Sequence, residues 1–193
     1  YAKTASLSYT DPYFTIDGVS LGGTLSYQEI DYGSSYSNTE DYELTRFSSS
    51  INMGYPIDEV NRINWGVGYF HNEMGNATTP SEMLRSFFHV YDEKQNNDNQ
   101  LVFDNFELTA RWSRNTLNKG LFPTDGSNQN LSAKVTVPGS DNQYFKLSFE
   151  DKRYYPLDRR HNWVFTTRLR LGYANGYGSL DSGNDHVLPP WEF

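Results

Sequence analysis

Apolar and polar residues alternate with a period of two in eight stretches of the chain, the spacing that sends successive side chains to opposite faces of a β-strand. Ala5, Leu7 and Tyr9 interleave with Thr4, Ser6, Ser8 and Thr10, and Val19, Leu21, Leu25 and Tyr27 with Ser20, Thr24, Ser26 and Gln28. The pattern recurs in Phe47, Ile51, Met53, Tyr55; in Ile63, Trp65, Val67, Tyr69; in Phe106, Leu108, Ala110, Trp112; and in Leu131, Ala133, Val135, Val137. Phe145, Leu147, Phe149 and then Trp163, Phe165, Leu169, Leu171, Tyr173 complete the set. Each predicted strand has one oily face. The other carries Arg46, Arg111, Lys134, Lys146, Glu150, Arg168 and Arg170 among Ser, Thr, Asn and Gly, so it is wet or internally paired.

Two architectures share this alternation: a soluble antiparallel sandwich with its apolar faces inward, and a membrane β-barrel with its apolar faces outward. Tyr9, Tyr27, Tyr55, Tyr69, Trp112, Trp163 and Tyr173 stand at or near the ends of the oily faces. A membrane barrel places amphipathic rings at head-group level, whereas a sandwich has no reason to keep aromatics for its strand ends. These residues are therefore read as an aromatic girdle. Strands of about 8 to 11 residues also suit a tilted bilayer crossing better than the roughly 5 to 6 residues of globular strands. The expected fold is all-β, a transmembrane antiparallel β-barrel segment. A self-contained eight-stranded barrel, adhesin-like or structural, and a soluble ligand-binding sandwich are the alternatives.

The connections sort into two kinds. Tyr55-Pro56-Ile57-Asp58, Phe122-Pro123-Thr124-Asp125 and Tyr155-Pro156-Leu157-Asp158 repeat an aromatic, Pro, one residue and Asp, and Pro12 with Asp17-Gly18 belongs with them. Proline ends a ladder, Asp bonds its own backbone in a tight turn, and Gly18 or Gly126 can supply a positive φ. These turns occupy alternate connections. The stretches 29–43 and 71–104 between them are long, polar and rich in Asn, Ser and Asp. Membrane barrels have short periplasmic turns and longer extracellular loops, so Asp17, Gly18, Pro56, Asp58, Phe122, Pro123, Thr124, Asp125, Gly126, Pro156 and Asp158 are expected at the periplasmic side. The connection Pro138 to Asn142 is short and departs from the rule. Counting crossings then leaves Tyr1 and the segment after Tyr173 both on the extracellular side, which points to part of a larger barrel.

Composition bears on partners more than on fold. Of 193 residues, 15 are Tyr and 12 Phe against 3 Met, which puts the apolar bulk in aromatics rather than in an aliphatic interior. A net charge of −8 argues against a nucleic-acid partner, whose phosphates require a basic surface. The absence of Cys excludes thiolate metal sites and disulfides. His71, His89, His161 and His186 fall in or beside connections, at no catalytic or metal-ligand spacing. The run DEKQNNDNQ from Asp92 lacks the sixth-position Gly and closing Glu of a calcium loop. Gly66, Gly68, Gly172, Gly176 and Gly178 read as strand glycines that ease curvature, since no helix follows them. No catalytic, cofactor or metal residue is expected, and no enzymatic activity.

One segment, PSEMLRSFFHVYDEK at 80–94, has helical periodicity: Met83, Leu84, Phe87, Phe88 and Tyr91 recur at three- and four-residue spacings after Ser81 and Glu82. It predicts a short amphipathic helix in the largest surface loop, lying either on the rim at the lipid head groups or over the barrel mouth.

Four longer stretches, YTDPYFTIDGVSLGG, GYPIDEVNRINWGVGYFHNEM, KGLFPTDGSNQNLSAKVTVPGSDNQYFK and YYPLDRRHNWVF, resemble the BamA family of outer-membrane protein assembly factors, the bacterial surface antigen family of outer-membrane insertases. The resemblance covers nearly the whole chain and corresponds to the central part of the transmembrane barrel, from the fourth to about the eleventh of the family's sixteen strands. It implies a single domain segment, with eight strands in 1–175 and the start of a long extracellular loop in 176–193. It also implies residence in the outer membrane of a Gram-negative bacterium. The implied partners are outer-membrane lipid, unfolded outer-membrane protein substrates and periplasmic accessory lipoproteins. Folding help would come without ATP, cofactor or covalent step. The family's POTRA domains, its seam strands and the Val-Arg-Gly-Phe/Tyr motif of its inward loop match nothing here, so this chain is expected to supply wall, turns and surface loops.

Two expectations can be tested by geometry. As part of a larger barrel, the strand at 3–10 should not pair with that at 163–173. And since alternation from Phe149 puts Asp151 and Arg153 on the oily face, they should lie at the periplasmic interface, or a bulge near residue 150 should turn them inward.

Overall fold

The computed structural model describes residues 2–31, 43–75, 87, 89–91, 100–160, 162–179, 186–189 and 192. Eight strands follow one another: β1 (Ala2–Asp11), β2 (Ser20–Asp31), β3 (Glu43–Pro56), β4 (Asn61–Gly75), β5 (Leu101–Asn115), β6 (Gly126–Thr136), β7 (Tyr144–Pro156) and β8 (Val164–Gly176). Each pairs antiparallel with the next, in one sheet ordered β1 to β8. No ladder joins β8 to β1 among the described residues. The sheet is therefore open at both edges, and the self-contained eight-stranded barrel is set aside.

The surface area rules out the sandwich. A folded monomer of 22.2 kDa should expose roughly 9,400 Å² by the usual mass scaling. This chain exposes 12630 Å². One face is left bare: Leu7, Leu25, Phe47, Ile51, Trp65, Leu108, Leu147 and Leu171 are all exposed, and no second layer covers them among the described residues. What does pack on the sheet, around Phe87, Tyr91, His186 and Glu192, lies against the opposite, polar face.

Several strands are longer than the periodicity indicates, β4 and β5 reaching 15 residues each. At the loop end the inner face turns apolar, with Leu44, Met74, Leu101 and Phe103 buried there. This reversal of the oily side hides the strand extensions from a pattern search. Val19, Val137 and Trp163, read as strand residues, lie just outside β2, β6 and β8. The β6–β7 connection is short for a structural reason. β6 stops at Thr136, opposite Glu107, leaving the upper part of β5 without a ladder partner. Residues 137–142 fold back to satisfy it: Val137 N–H donates to the Phe106 carbonyl at 2.7 Å, Asp141 Oδ2 accepts from Asp104 N–H at 2.8 Å, and Asn105 Oδ1 accepts from Asn142 N–H at 3.0 Å.

Candidate membrane-facing surface and inner polar face

The ladder registers carry apolar side chains across the outer face in continuous rows. One row runs Tyr55, Ile63, Trp112, Leu131, Phe149, Leu171 through six strands. Tyr9, Tyr55, Trp112 and Trp163 stand towards the turn end of their strands, Tyr27, Tyr69 and Tyr173 towards the loop end. Ring pairs reinforce both levels, Tyr69 with Phe106 at 5.2 Å and Phe145 with Tyr173 at 5.7 Å between centroids at the loop side, Tyr155 with Phe165 at 6.4 Å at the turn side. Along β8, Phe165 and Tyr173 are eight residues apart. At about 3.3 Å per residue and a tilt of about 40° they are separated by roughly 20 Å along the bilayer normal, close to the apolar band of membrane barrels.

Asp151 and Arg153 stay on this outer face, because β7 pairs with both neighbours through residue 150 without interruption. The bulge alternative is excluded. The two charges neutralise each other instead: Arg153 Nε donates to Asp151 Oδ2 at 2.8 Å.

All four predicted turns fall at one end of the sheet, since they follow β1, β3, β5 and β7, while β2, β4 and β6 end at the other. Two of the repeated motifs work alike. Asp58 Oδ1 accepts from the N–H groups of Val60 and Asn61 at 2.8 and 2.7 Å, and Asp158 Oδ1 accepts from those of Asn162 and Trp163 at 2.7 and 3.2 Å. Hydrogen bonding by the Asn61 side chain first, and by the two backbone N–H groups next, holds the Asp58 carboxyl below its usual pKa. The third motif differs. Asn118 spans that turn, its Oδ1 accepting from Thr124 and Asp125 N–H at 3.1 and 3.2 Å, while Asp125 Oδ1 accepts from the adjacent Gly126 N–H at 2.8 Å. Gly126 there has φ of 102° and a Cβ on it would overlap the Thr116 carbonyl, so the glycine is required. In the first turn Gly18 has φ of 79°, and Asp11 rather than Asp17 accepts a backbone bond, from Tyr13 N–H at 3.0 Å.

The inner face holds two groups of residues whose meeting the periodicity does not predict. Glu192, after β8, reaches back to the middle of the sheet: its Oε1 lies 2.9 Å from Lys134 Nζ and its Oε2 3.2 Å from Lys146 Nζ. Tyr144 donates to Glu107 at 2.7 Å and lies 3.2 Å from the same Glu192 carboxylate. Burial raises the Glu192 pKa, but the two ammonium groups outweigh it and the net shift is downward. Above this, Phe87 and Tyr91 pack on Leu44, Met74, Leu101 and Phe103, with Tyr91 edge-on to Phe103 at 5.0 Å. The Tyr91 hydroxyl meets His186 Nδ1 at 3.3 Å and accepts from Val187 N–H at 3.2 Å, and burial pushes its pKa up to about 12.

Residues 87, 89 and 90 are helical, and Tyr91 N–H donates to the Phe87 carbonyl at 3.2 Å. Phe87 and Tyr91 face the inside of the sheet, which accords with the alternative of a segment over the barrel mouth rather than one laid on lipid head groups, an apolar inner surface being available at the loop end. Met83, Leu84 and Phe88, like His161, lie outside the described residues. His71 sits at the loop end between Asp104 at 2.8 Å and Glu73 at 3.2 Å.

An open antiparallel sheet with one bare apolar face, a polar inner face, tight turns at one end and long connections at the other is a stretch of wall from a large transmembrane β-barrel. The chain belongs to the Omp85 superfamily, whose domain matches residues 1–192. It is 30% identical over 175 residues to the outer membrane protein assembly factor BamA of Neisseria meningitidis serogroup B, covering 90% of this chain and 22% of that protein. A second relative, BamA of Buchnera aphidicola, is 28% identical over 76 residues, 39% of this chain and 12% of that one. Among solved structures, the crystal structure of BamA from Haemophilus ducreyi lacking POTRA domains 1–3 superposes with a TM-score of 0.85 at 34% identity, over 96% of this chain and 34% of that chain. The chain thus spans between about a tenth and a third of the length of these relatives.

Proposed function

We propose that this chain forms part of the barrel of an outer-membrane protein assembly factor, in the outer membrane of a Gram-negative bacterium. In this reading the oily face meets lipid, with Tyr9, Tyr55, Trp112 and Trp163 at one head-group level and Tyr27, Tyr69 and Tyr173 at the other. The turns at Asp17-Gly18, Pro56-Asp58, Phe122-Gly126 and Pro156-Asp158 face the periplasm. Residues 1–175 contribute the eight strands of one barrel domain, and 176–193 begin a loop on the extracellular side that folds inward. The whole protein receives unfolded outer-membrane proteins from the periplasm, with periplasmic accessory lipoproteins as partners. It helps those substrates insert without a covalent step.

The observation that carries the reading is the open eight-stranded sheet whose uncovered face is predominantly apolar, together with its likeness to the BamA barrels. Reconstitution tests it: in liposomes the full-length protein should accelerate folding of a urea-unfolded outer-membrane barrel, and no acceleration over empty liposomes overturns the proposal. Sidedness has its own test. A maleimide that cannot cross the membrane, added to intact cells, should label Asn96→Cys and miss Thr124→Cys; the reverse pattern inverts the orientation.

A further inference from the structure

Charge is divided unevenly over this chain. As a whole it carries 24 Asp and Glu against 16 Lys and Arg, yet on the turn-side half of the inner face the balance is reversed. The ladder registers put Arg111 in one inward row, Arg62, Glu150 and Arg170 in the next, and Lys152 with Arg168 in a third, nearest the turns. Glu150 is the one carboxylate against five cations in these rows, and the positions between them are mostly Ser and Asn. The surplus is local. Towards the loops, on β5 to β7, Lys134 and Lys146 face Glu107 and Glu192, two charges against two. The inner sides of β1 and β2 carry no charged residue.

The pairing inside the patch leaves most of its positive charge unspent. Glu150 Oε1 accepts from Nε of both Arg168 and Arg170. Arg111 donates to Asn130 Oδ1 at 2.8 Å, and Lys152 Nζ lies 5.0 Å from the centre of the Tyr154 ring. Neither of these two cations nor Arg62 forms an ion pair among the described residues. Arg111, Asn130, Ser132, Ser148, Glu150 and Arg170 line one open hollow of about 260 Å³, with a guanidinium on either side and hydroxyl and amide donors between. Guanidinium forks match carboxylates.

The chain itself shows what anionic chemistry an outer-membrane barrel carries. The stretch 29–43, which spans the connection from β2 to β3, holds Glu29, Asp31, Glu40, Asp41 and Glu43 and no Lys or Arg. A loop of this kind in a client barrel starts in the periplasm and ends outside, so it has to cross. Too polar to collapse on itself, it stays extended in the unfolded client and keeps its carboxylates accessible.

We propose that the turn-side half of the inner face of β4 to β8 is a transient docking surface for the acidic surface loops of client barrels. The proposal rests on the assembly function and the orientation given above, which make this half of the wall the first that a client meets from the periplasm. Exposed charge pairs are individually weak and act at a distance. The patch therefore gathers an acidic loop and lets it go, and the uncharged inner wall of β1 and β2 offers no second hold.

The test uses the full-length protein in liposomes at low salt and two urea-unfolded clients. One is a small outer-membrane barrel with residues 29–43 of this chain grafted as a surface loop; the other is the same client with the five carboxylates replaced by amides. The quantity read is the ratio of their folding accelerations, each over empty liposomes. For the wild-type protein the acidic client should be favoured about tenfold, the effect of several exposed charge pairs acting together. The ratio should fall to about one in Arg62→Gln/Arg111→Gln/Lys152→Gln, stay near the wild-type value in Arg62→Lys/Arg111→Lys, and vanish at roughly 1 M salt, where the screening length is about 3 Å. A ratio near one for the wild type, a ratio unchanged in the glutamine variant, one lost in the lysine variant, or one that survives salt overturns the proposal. The amide client keeps the two levels apart. Its acceleration by the wild-type protein without preference for the acidic client overturns the docking surface alone, whereas acceleration of neither client overturns the assembly reading as well.

Discussion

Removal of the Glu192 carboxylate should free the segment after β8 from the inner face. In Glu192→Ala, Lys134 and Lys146 lose ion pairs of 2.9 and 3.2 Å, and Lys146 Nζ also stands 2.5 Å from the Glu192 carbonyl. A fully buried pair broken at one partner costs about 3 to 5 kcal/mol. Here the carboxylate is 10% exposed but the lysines are 30% and 36% exposed, so water takes up part of the loss. Tyr144 retains Glu107, and Lys134 retains Glu107 Oε2 at 3.5 Å. A value near 2 kcal/mol follows from charge-assisted bonds in this partly wet setting, or roughly a 30-fold rise in the open population. Hydrogen–deuterium exchange on the full-length protein reads it directly. The amides of Val187, bonded to Tyr91, and of Glu192, bonded to the Pro189 carbonyl, should exchange about 30-fold faster, with the β6–β7 ladder unchanged. Glu150→Gln, which breaks pairs to Arg168 and Arg170 on the same face, is the control and should leave both amides alone. Unchanged exchange in Glu192→Ala, or equal acceleration in the control, would refute the anchor.

The same carboxylate sets a pH dependence. Its folded pKa is depressed, so the contribution is fully present above the ordinary glutamate range near 4.5 and is lost as pH falls through the lower, folded value; exchange at Val187 and Glu192, corrected for intrinsic rates, should be flat from pH 7 to 5 and accelerate only below. Leu147→Arg on the outer face should cost about 2 to 4 kcal/mol in a lipid-vesicle unfolding equilibrium, whereas Ser148→Arg on the inner face should cost markedly less; equal costs would mean that the oily face does not meet lipid. The turns give a crossed result. Asp58→Ala should loosen the Val60 and Asn61 amides, while in the turn before β6 it is Asn118→Ala rather than Asp125→Ala that should loosen Thr124 and Asp125, and amide exchange distinguishes the two.

What the sequence made legible was whatever repeats along the chain. A period of two over Trp65, Val67 and Tyr69, or over Phe145, Leu147 and Phe149, marks a strand and its oily side without knowledge of neighbours. The Pro and Asp turns are local chemistry and were readable too, with one lesson: Phe122-Pro123-Thr124-Asp125 looks like its two counterparts, yet Asn118 supplies the acceptor, because its ten-residue connection brings that amide across the turn. The inner face was not legible. Glu107, Lys134, Lys146 and Glu192 converge only because antiparallel registers and a returning segment bring together residues up to 85 apart in sequence, as with Glu107 and Glu192 around the Tyr144 hydroxyl. No periodicity encodes such a meeting. The same applies to Gly176, read as a strand glycine, where a Cβ would overlap the His186 carbonyl and lift the returning segment from the sheet. Residue choice at such positions is dictated by what crosses over them, so the sequence records the constraint without naming its cause. The outer face is the reverse case: lipid is a uniform solvent, so each outward position meets the same demand, and the patch at Arg114, Gln129, Asp151 and Arg153 stands out because it breaks that demand in two adjacent rows.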